Sequence, residues 1–543
     1  MLFIHVYDIM GISLIIRRGD LMRRFNVTGL CNPDRHYMVD ITNKLMQIKD
    51  MIDYGVYFTV NRARQYGKTT TLRRLWRFLA DDYIVVSISF EGWDDESFAT
   101  SKNFCQTFLQ QIKSSLKNTK ESEAYQESWL DANIVDFGKL SVHIEKMCQN
   151  KKIVLMIDEV DKTSNNRVFL QFLGILRSKF LDREDGIGAT FQSVILAGVY
   201  DIKNIKLEMI HDGIVTPLQT ENHLRNSPWN IAVDFEVDMA FNADEISTML
   251  VEYEKDYKTG MDVVAISEEL FSYTSGYPFM VSRLCQIIHK NADMEWDVFG
   301  VRSAVTAMLR ENNMLFTDMG KNLENHEDLY HLLYDVLILG LNRDFSYENP
   351  VIDMAYMYGY IKFNRRYSVV VFNKIFETRI SNYFVTKNAQ STPHQKTSAI
   401  YHNIATDDYF NMELCLEKFA AFFNQDIFPT KEKKLLEIQY RISFLSYLKP
   451  LLNGIGHYHY ESHLSDDRRI DLVVNYGRHE YLLELKRIFS ERDREEGIKQ
   501  LLGYMDGRDA DIGYYLTFDF RKKAESKMEW LEVDGKRILE VNV

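Results

Sequence analysis

Residues 57–69 contain the feature that most restricts how this chain can fold. The apolar run YFTV (57–60) predicts a short strand, and Gly67-Lys68-Thr69 follows it after a polar loop. The next residues, TTLRRLWRFL, have helical spacing. A strand that passes through a loop directly into a helix offers the free N–H groups of that helix to an anion. The segment therefore predicts a phosphate-binding loop, in which Lys68 neutralises phosphate oxygens and Thr69 coordinates magnesium.

A second element supports this prediction, although Arg62 replaces the first glycine of the general pattern GxxxxGK[ST]. The apolar run IVLMIDE (153–159) predicts a buried strand that ends in two adjacent acids. Burying carboxylates is costly unless a cation or a proton relay compensates them. We expect Asp158 to hold Mg²⁺ and Glu159 to orient and deprotonate an attacking water. The alternative is a Gly-Lys-Thr helix cap and an unrelated acidic turn.

The rest of the chain divides by its apolar spacing. Strand-like runs alternate with helical stretches from Tyr57 to about Gly198, which predicts βαβ units and a parallel sheet. Helical spacing follows, and MAYMYGYIKFNRRYSVVV (354–371) then predicts a hairpin around Asn364-Arg365-Arg366. The predicted divisions are an upstream extension (1–21), a P-loop core (22–240), a helical lid (241–295), a winged-helix-like domain (296–385), a linker (386–400) and a C-terminal domain (401–543).

Composition excludes several classes of protein. The net charge of −13 excludes a basic sleeve for nucleic acid, so any such contact must be local. The five cysteines form no CxxC pair, which fits a reducing, cytoplasmic location. The apolar segment before Arg17-Arg18 is too short to span a membrane and lacks the order of a signal peptide. We expect translation to begin at Met22.

The N-terminal motifs resemble those of the AAA-ATPase-like family of bacterial proteins, related to the archaeal-type ATPases of the STAND group. The resemblance spans about Phe25 to Asn291 and rests on the RxRxYGKT loop, on IDEVD, and on three further runs. Those runs are SVILAGVYDIKNIK (193–206), SPWNIAVDFEVDM (227–239) and TSGYPFMVSRLC (274–285). In this family the first loop glycine is commonly arginine. The resemblance implies an ATP-binding, ATP-hydrolysing P-loop domain of AAA type that uses Mg²⁺.

The resemblance also implies further nucleotide contacts. Gly276 and Pro278 match a Gly-x-Pro signature that brings the lid to the nucleotide, and Arg283 lies on the following helix. Arg225 is a candidate arginine for the γ-phosphate, and a surface salt bridge is the alternative for both arginines. Tyr200 and Asp201 stand where a sensor group is expected. The predicted nucleotide-binding residues are Arg62, Arg64, Tyr66, Gly67, Lys68, Thr69, Thr70, Asp158, Arg225 and Pro278.

The C-terminal domain contains a second chemical pattern, RRIDLVVNYGRHEYLLELKRI (468–488), which predicts strand, turn and strand. Glu484 and Lys486 point to one face of the second strand, and an adjacent strand can bring Asp471 beside them. Two carboxylates and the carbonyl of Leu485 suit Mg²⁺ or Mn²⁺. Lys486 could then position or deprotonate a metal-bound water. A solvated strand face with alternating charges is the alternative.

This pattern resembles the PD-(D/E)XK nuclease superfamily over about Lys431 to Lys523. A predicted helix (435–452) carries Glu437 and Arg441, where the superfamily often supplies an acid, and a later helix (495–506) carries Gln500 and Tyr504. The resemblance implies an α/β restriction-endonuclease-like fold. The predicted catalytic residues of the whole chain are Glu159, Glu437, Asp471, Glu484, Lys486 and Gln500. The basic clusters Arg468-Arg469 and Arg521-Lys522-Lys523 are candidate nucleic-acid contacts or solvated rims.

Three functions follow as hypotheses. The first is an ATP-regulated, Mg²⁺- or Mn²⁺-dependent nuclease acting on nucleic acid, with DNA favoured, for which the resemblance suggests defence against foreign DNA. The second is an ATP-driven sensor or scaffold whose nuclease-like domain binds without cutting. The third is a translocase on DNA. The expected partners are ATP and nucleic acid, with no membrane, and nucleotide-dependent self-assembly is an open alternative.

Overall fold

The computed structural model describes residues 23–117, 123–131, 133–160, 167–198, 229–390, 404–406, 409–424, 433–452, 455–462, 469–519 and 527–543. The predicted upstream extension (1–21) lies outside them. Within these ranges, no helix has the length and hydropathy of a membrane-spanning segment.

A parallel sheet forms the centre of the N-terminal part, as the alternation of strands and helices predicted. Its order within the described residues is β1-β4-β3-β2, and each neighbouring pair is parallel. Three of the strands begin within one residue of the apolar runs at 57–60, 153–159 and 193–206. The four strands are β1 (Phe58–Asn61), β2 (Ile84–Ser89), β3 (Ile153–Asp158) and β4 (Ser193–Gly198).

The strand β3 is buried along its whole length because apolar cores lie on both faces of the sheet. Val154 and Met156 belong to one core, and Ile153, Leu155 and Ile157 belong to the other. Successive side chains of a strand point to opposite faces, so a continuous apolar run is required here. The surrounding helices are α1 (Thr42–Asp53), α2 (Lys68–Leu79), α3 (Ser101–Leu116), α4 (Glu123–Ser128), α5 (Phe137–Cys148) and α6 (Arg167–Glu184).

The predicted lid is helical in the structure. It contains α7 (Ala243–Tyr257), α8 (Val263–Thr274) and α9 (Pro278–Lys290). Asp262 caps α8 by accepting from the backbone N–H groups of Val264 and Ala265. Pro278 occupies the first turn of α9, where its missing N–H costs nothing. The turn between these two helices passes through Gly276 with φ +73°.

Helices and a hairpin follow in the region predicted to be winged-helix-like. They are α10 (Val298–Leu309), α11 (Met314–Asn325), α12 (Glu327–Leu337), α13 (Pro350–Met357), β5 (Ile361–Phe363), β6 (Val369–Val371) and α14 (Lys374–Gln390). The hairpin turns at Asn364, but its strands are short, because the first part of the predicted apolar run belongs to α13. Helix α14 continues to Gln390, so the linker predicted at 386–400 begins in helix, and its remainder lies outside the described residues.

The C-terminal part is built on a mixed sheet. Over the described residues its order is β11-β12-β10-β9-β8-β7, with parallel pairing only at β9–β10 and β10–β12. The elements are α15 (Met412–Phe422), α16 (Lys433–Leu452), β7 (Gly456–Ser462), β8 (Arg469–Tyr476), β9 (His479–Ile488), α17 (Glu491–Gly507), β10 (Ile512–Asp519), β11 (Lys527–Val533) and β12 (Lys536–Asn542). The predicted helices and strands of this region are present, while α15, β7, β11 and β12 were not foreseen.

The edge strand β7 packs against the preceding part of the chain. The Thr378 hydroxyl on α14 donates to the carbonyl of Tyr458 at 2.7 Å. Thr306 on α10 lies 2.7 Å from Nδ1 of His457. His457 and its neighbour His459 are both buried. A strand edge that would otherwise expose unpaired backbone groups is therefore covered within the same chain.

We expect Gly276→Ala to destabilise the protein strongly. A Cβ at this position would lie 1.7 Å from the carbonyl oxygen of Phe241, so backbone must move in addition to the strain of positive φ. The matched control is Gly260→Ala, where φ is +77° but no atom lies within 4 Å of the added Cβ. Urea unfolding should show a loss of about 1 kcal/mol for the control and about 3 kcal/mol or more for Gly276→Ala. Equal losses would contradict the steric argument.

The buried histidines of β7 should make stability depend on pH. Burial, aided by the charges of Arg302 and Lys374, lowers the pKa of His457 to about 3. Burial also holds the pKa of His459 well below its ordinary value, with Lys374, His457, Arg508 and Arg302 acting in the same direction. Unfolded histidine has a pKa near 6.5, so below that pH the unfolded chain binds protons that the folded chain does not. The contribution of the two neutral histidines to the free energy of unfolding is therefore complete above about pH 6.5, and it falls as the pH drops toward 3.

The measurement is the urea midpoint at pH 7.5 and pH 5.5, a range in which histidines dominate the titration. The double variant His457→Gln/His459→Gln should lose most of the difference between the two midpoints. His331→Gln, which changes an exposed histidine, should keep it. An unchanged difference in the double variant would contradict the assignment.

Candidate functional site

The predicted phosphate loop connects β1 to α2 in the structure. Gly67 precedes α2 with φ +83°, a backbone conformation that favours glycine. A Cβ at Gly67 would lie 3.8 Å from Pro278, so the lid helix α9 begins directly beside the loop. The first turn of α2 contains Lys68, Thr69 and Thr70, and the N–H groups at the start of a helix create a local positive potential.

The Lys68 side chain folds back on this loop and bonds to its backbone. It is buried, and its ammonium donates to the carbonyls of Arg62 at 2.8 Å and Ala63 at 3.0 Å. A buried ammonium is tolerated only when its hydrogen-bonding capacity is met. Its charge adds to the positive end of the α2 dipole, so the site suits a phosphate group.

A direct bond joins the loop to the end of β3. The Thr69 hydroxyl donates to Oδ2 of Asp158 at 2.7 Å. Asp158 is 7% exposed, and its Oδ1 accepts the backbone N–H of Glu159 at 3.0 Å. A hydroxyl and a carboxylate at this distance are the hard oxygen donors that Mg²⁺ takes from a protein. The pair therefore has the donor chemistry for an ion that accompanies a nucleotide.

Glu159 follows in a left-handed conformation with φ +58°. Non-glycine residues rarely adopt this region, and they do so when the surrounding structure holds them there. The chain leaves β3 sharply at this point, so the carboxylate of Glu159 starts from the same strand end as Asp158. The structure thus places Asp158 beside the first turn of α2, and Glu159 is the next residue along the chain.

The remaining loop side chains lie in different surroundings. The ring of Tyr66 is buried against Tyr277, with centroids 4.8 Å apart, and burial raises the pKa of both hydroxyls. Arg62 donates to the carbonyl of Asn61 at 2.8 Å. Arg64 is exposed and lies 3.4 Å from the carboxylate of Asp318. Arg64 therefore lies on the solvent side of the loop, whereas Arg62 is half-buried near the ring of Phe235.

Two contacts to the loop were not predicted. The Tyr277 hydroxyl donates to the carbonyl of Arg64 at 2.7 Å. A Cβ at Gly359, just before the hairpin, would lie 3.1 Å from Cβ of Ala63. Tyr277 stands between Gly276 and Pro278, so the Gly-x-Pro signature was its signal. Gly359 carries no such signal, because its role depends on a contact between distant segments.

Of the two predicted arginines, Arg283 forms a salt bridge instead of a nucleotide contact. Its guanidinium binds both carboxylate oxygens of Glu311, with Nε 2.9 and 3.1 Å away, and it is partly buried. This is the salt-bridge alternative. Arg225, Tyr200 and Asp201 lie outside the described residues.

The β8–β9 hairpin carries Asp471 and Glu484 on adjacent strands. Its antiparallel register pairs Leu472 with Leu483, and the next residues outward along the two strands are Asp471 and Glu484. Residues opposite each other in an antiparallel pair share a face. Glu484 is 2% exposed, while the side chain of Asp471 lies outside the described part of the chain.

Lys486 lies on the same face of β9 as Glu484. Its ammonium donates to Oε1 of Gln500 on α17 at 3.2 Å, so two predicted site residues from separate elements meet. Leu485, between the two charged residues, is buried toward the opposite face and pairs with Leu516 of β10. Among the described side chains, no group of three or more His, Cys, Asp or Glu residues is arranged to hold a metal ion.

The other C-terminal candidates are less well placed. Helix α16, which carries Glu437, packs on the opposite face of the sheet, where the ring of Tyr440 lies 5.0 Å from that of Phe518. The side chain of Glu437 is outside the described part. Arg441 is directed toward the carbonyl of Leu337, at 3.5 Å, instead of the site. Tyr504 is buried in the core beneath α17.

The two predicted basic clusters fall largely outside the described residues. Arg468 and the cluster at 521–523 lie outside the described residues, as does the side chain of Arg469. Their roles stay predictions.

Comparison with known proteins bears on the N-terminal part. A family model described as an AAA-like domain matches residues 34–339. A search of curated proteins found no match. Among solved structures, a Walker-type ATPase of Pyrococcus abyssi is 13% identical, with a TM-score of 0.44 over 66% of this chain and 99% of that chain. The ORC2 protein of Aeropyrum pernix, in its ADPNP–ADP complexes, is 10% identical, with a TM-score of 0.33 over 64% and 93%.

The family match covers more than half of the chain. It includes the loop before α2, the acidic end of β3 and the lid helices up to α9. These are the elements that meet around Gly67, Thr69, Asp158 and Pro278. The chain belongs to the AAA-like domain family.

Proposed function

We propose that this protein is an ATP-dependent machine in which an AAA-like ATPase regulates a C-terminal, metal-dependent nuclease. The observation that carries the first half is the bond between the Thr69 hydroxyl and the Asp158 carboxylate at the N terminus of α2. This arrangement joins an anion-binding helix end to a pair of cation ligands. A magnesium triphosphate presents both charges together.

The side chains around this bond take distinct roles. Lys68 neutralises the phosphate oxygens, and Thr69 and Asp158 hold the Mg²⁺ that accompanies ATP. When bound, this ion offsets the negative charge of the triphosphate. Glu159 orients the attacking water and accepts its proton. Pro278 brings the lid to the nucleotide, so the lid responds to its presence.

The nuclease proposal rests on the shared sheet face. Asp471 and Glu484 stand on adjacent strands, next to a cross-strand pair, and Lys486 follows on the same face in contact with Gln500. Asp471, Glu484 and the carbonyl of Leu485 would hold Mg²⁺ or Mn²⁺. Bound there, the metal would supply a nucleophilic water and stabilise charge on the phosphodiester. Lys486 would position that water, with Gln500 orienting the ammonium.

One observation favours the second candidate, an ATP-driven sensor or scaffold that does not cut. Glu484 is 2% exposed, so in this arrangement its carboxylate is closed to a large substrate. Either the site opens during function or the domain binds without cleaving. DNA is the proposed partner in both cases, and the two candidates differ in whether product forms.

We expect Lys68→Ala to abolish nucleotide binding. Loss of the charge-assisted bonds from this lysine should weaken binding by about 3 kcal/mol, more than a hundredfold in Kd. Glu159→Gln should bind ATP as the parent does but hydrolyse it about a hundredfold or more slowly. Fluorescent-nucleotide titration and phosphate release measure the two effects, and Lys146→Ala, exposed on α5, is the matched control. Normal turnover by Glu159→Gln would remove the proposed base.

We expect the parent protein to cut nucleic acid in Mg²⁺ or Mn²⁺, and Glu484→Ala and Lys486→Ala to lose at least about a hundredfold in rate. The assay is cleavage of plasmid and of single- and double-stranded DNA and RNA oligonucleotides, with and without ATP. Glu532→Ala and Lys527→Ala, at exposed positions on β11, are the matched controls and should cut normally. No product on any substrate, or equal cutting by the variants, would leave the sensor candidate.

A further inference from the structure

A glycine lets α17 lie close to the sheet that carries the proposed nuclease residues. A Cβ at Gly497 would come within 2.2 Å of the hydroxyl of Tyr515, which is fully buried beneath the helix. The helix begins directly after β9, and Arg508 at its end binds Glu480 at the start of that strand. It therefore runs back along β9 and covers the face on which the proposed site lies.

Tyr515 stands between two buried carboxylates on this face. In the parallel register of the sheet it pairs with Glu484 of β9 on one side and with Glu540 of β12 on the other. Paired residues of neighbouring parallel strands share a face, so all three side chains lie on the side of the sheet that α17 covers. Glu540 is 6% exposed. A carboxylate removed from water is costly unless an opposite charge compensates it, so Glu540 requires a cationic partner.

Arg494, near the start of α17, is that partner. Its Nε donates to Oε1 of Glu540 at 2.7 Å, and its Nη2 donates to the other carboxylate oxygen. The backbone carbonyl of Arg494 accepts from the Tyr515 hydroxyl at 3.4 Å. A bidentate pair fixes direction as well as distance, because the planar guanidinium matches both oxygens of the carboxylate. One residue therefore ties the N-terminal half of α17 to both β10 and β12.

The same helix contacts the proposed site six residues later. Gln500 accepts from the Lys486 ammonium at 3.2 Å. Six residues correspond to about 9 Å along a helix axis, and Gly497 rests on the sheet between the two contacts. A helix that is held on both sides of such a close contact cannot rock across the sheet. The bond from Arg494 to β12 therefore fixes the place at which Gln500 meets Lys486 on β9.

We propose that Arg494 and Glu540 are positioning residues of the nuclease site, which hold α17 so that Gln500 keeps the ammonium of Lys486 in place. This role rests on the proposed nuclease function and adds to it a pair that touches neither substrate nor metal. Arg494 acts only through Gln500, because its guanidinium is already bound by Glu540 and Glu491.

A second ion pair at the other end of α17 supplies the matched control. Arg508 binds Glu480 at 2.7 Å, and the exposed fractions of the Arg508 and Arg494 side chains are similar, at 24% and 27%. Arg508 follows Gln500 by eight residues, about 12 Å along the helix. Arg494→Lys and Arg508→Lys each keep the charge but lose the planar fork. Urea unfolding shows whether both variants fold, and Glu540→Gln takes the place of Arg494→Lys if that variant does not.

The first measurement is oligonucleotide cleavage by the full chain in Mn²⁺, resolved into kcat and KM. Arg494→Lys should lower kcat about tenfold or more with little change in KM, because a displaced Lys486 no longer positions the water. Arg508→Lys should cut as the parent does. In a Gln500→Ala background, Arg494→Lys should cause no further loss, since both changes release the same lysine. An equal further loss there would show that Arg494 acts independently of Gln500 and would overturn the proposal.

The second measurement needs no cleavage and therefore separates the pair from the function on which it rests. Acetic anhydride acetylates the lysines of the folded chain, and mass spectrometry follows Lys486 with the exposed Lys499 as internal reference. Arg494→Lys and Gln500→Ala should each raise the rate at Lys486 at least about threefold, and Arg508→Lys should not. Unchanged labelling in Arg494→Lys overturns the positioning role. Raised labelling in a chain that cuts nothing supports the hold on Gln500 and removes the nuclease.

Discussion

The bond between Thr69 and Asp158 ties the first turn of α2 to the end of the central strand β3. It depends on the burial of β3 between two cores, because this burial fixes the position of Asp158 at the end of the strand. It also depends on Gly67, whose positive φ lets the loop turn into the helix. The geometry of the N-terminal site therefore follows from packing beneath it as much as from the residues that line it.

The strands of the N-terminal sheet and the loop between β1 and α2 could be predicted because their signals are local. A buried parallel strand needs an apolar run such as IVLMIDE, and the Gly-Lys-Thr triplet stands next to its own strand. The Gly-x-Pro signature indicated the position of Tyr277, but the role of Gly359 could not be predicted, since it depends on which distant segments pack against the loop. The same limit explains Arg283, whose pairing with Glu311 joins two separate helices.

In the C-terminal sheet, the sequence indicated the hairpin and the shared face of Glu484 and Lys486, because strand periodicity alone determines them. It also placed Gln500 on a helix, and the structure adds its contact with Lys486. The order of the strands in this sheet could not be predicted from the sequence. The edge strand β7, the pair β11–β12 and the docking of α8 on β8 all come from long-range pairing, to which local spacing gives no access.

Helix α14 has a consequence for how the two halves of this protein can be separated. Its apolar residues Ile375, Phe376, Ile380 and Phe384 are fully buried, and Thr378 and Ser381 bond to Tyr458 and Tyr460 of the edge strand. The helix is the last element of the N-terminal half, and it also covers the edge strand β7 of the C-terminal half. A chain shortened after residue 390 would expose to water the side of α14 that packs on β7. The isolated C-terminal half would expose the edge of β7, which could then pair with other chains. Each half therefore depends on the other to bury one of its surfaces.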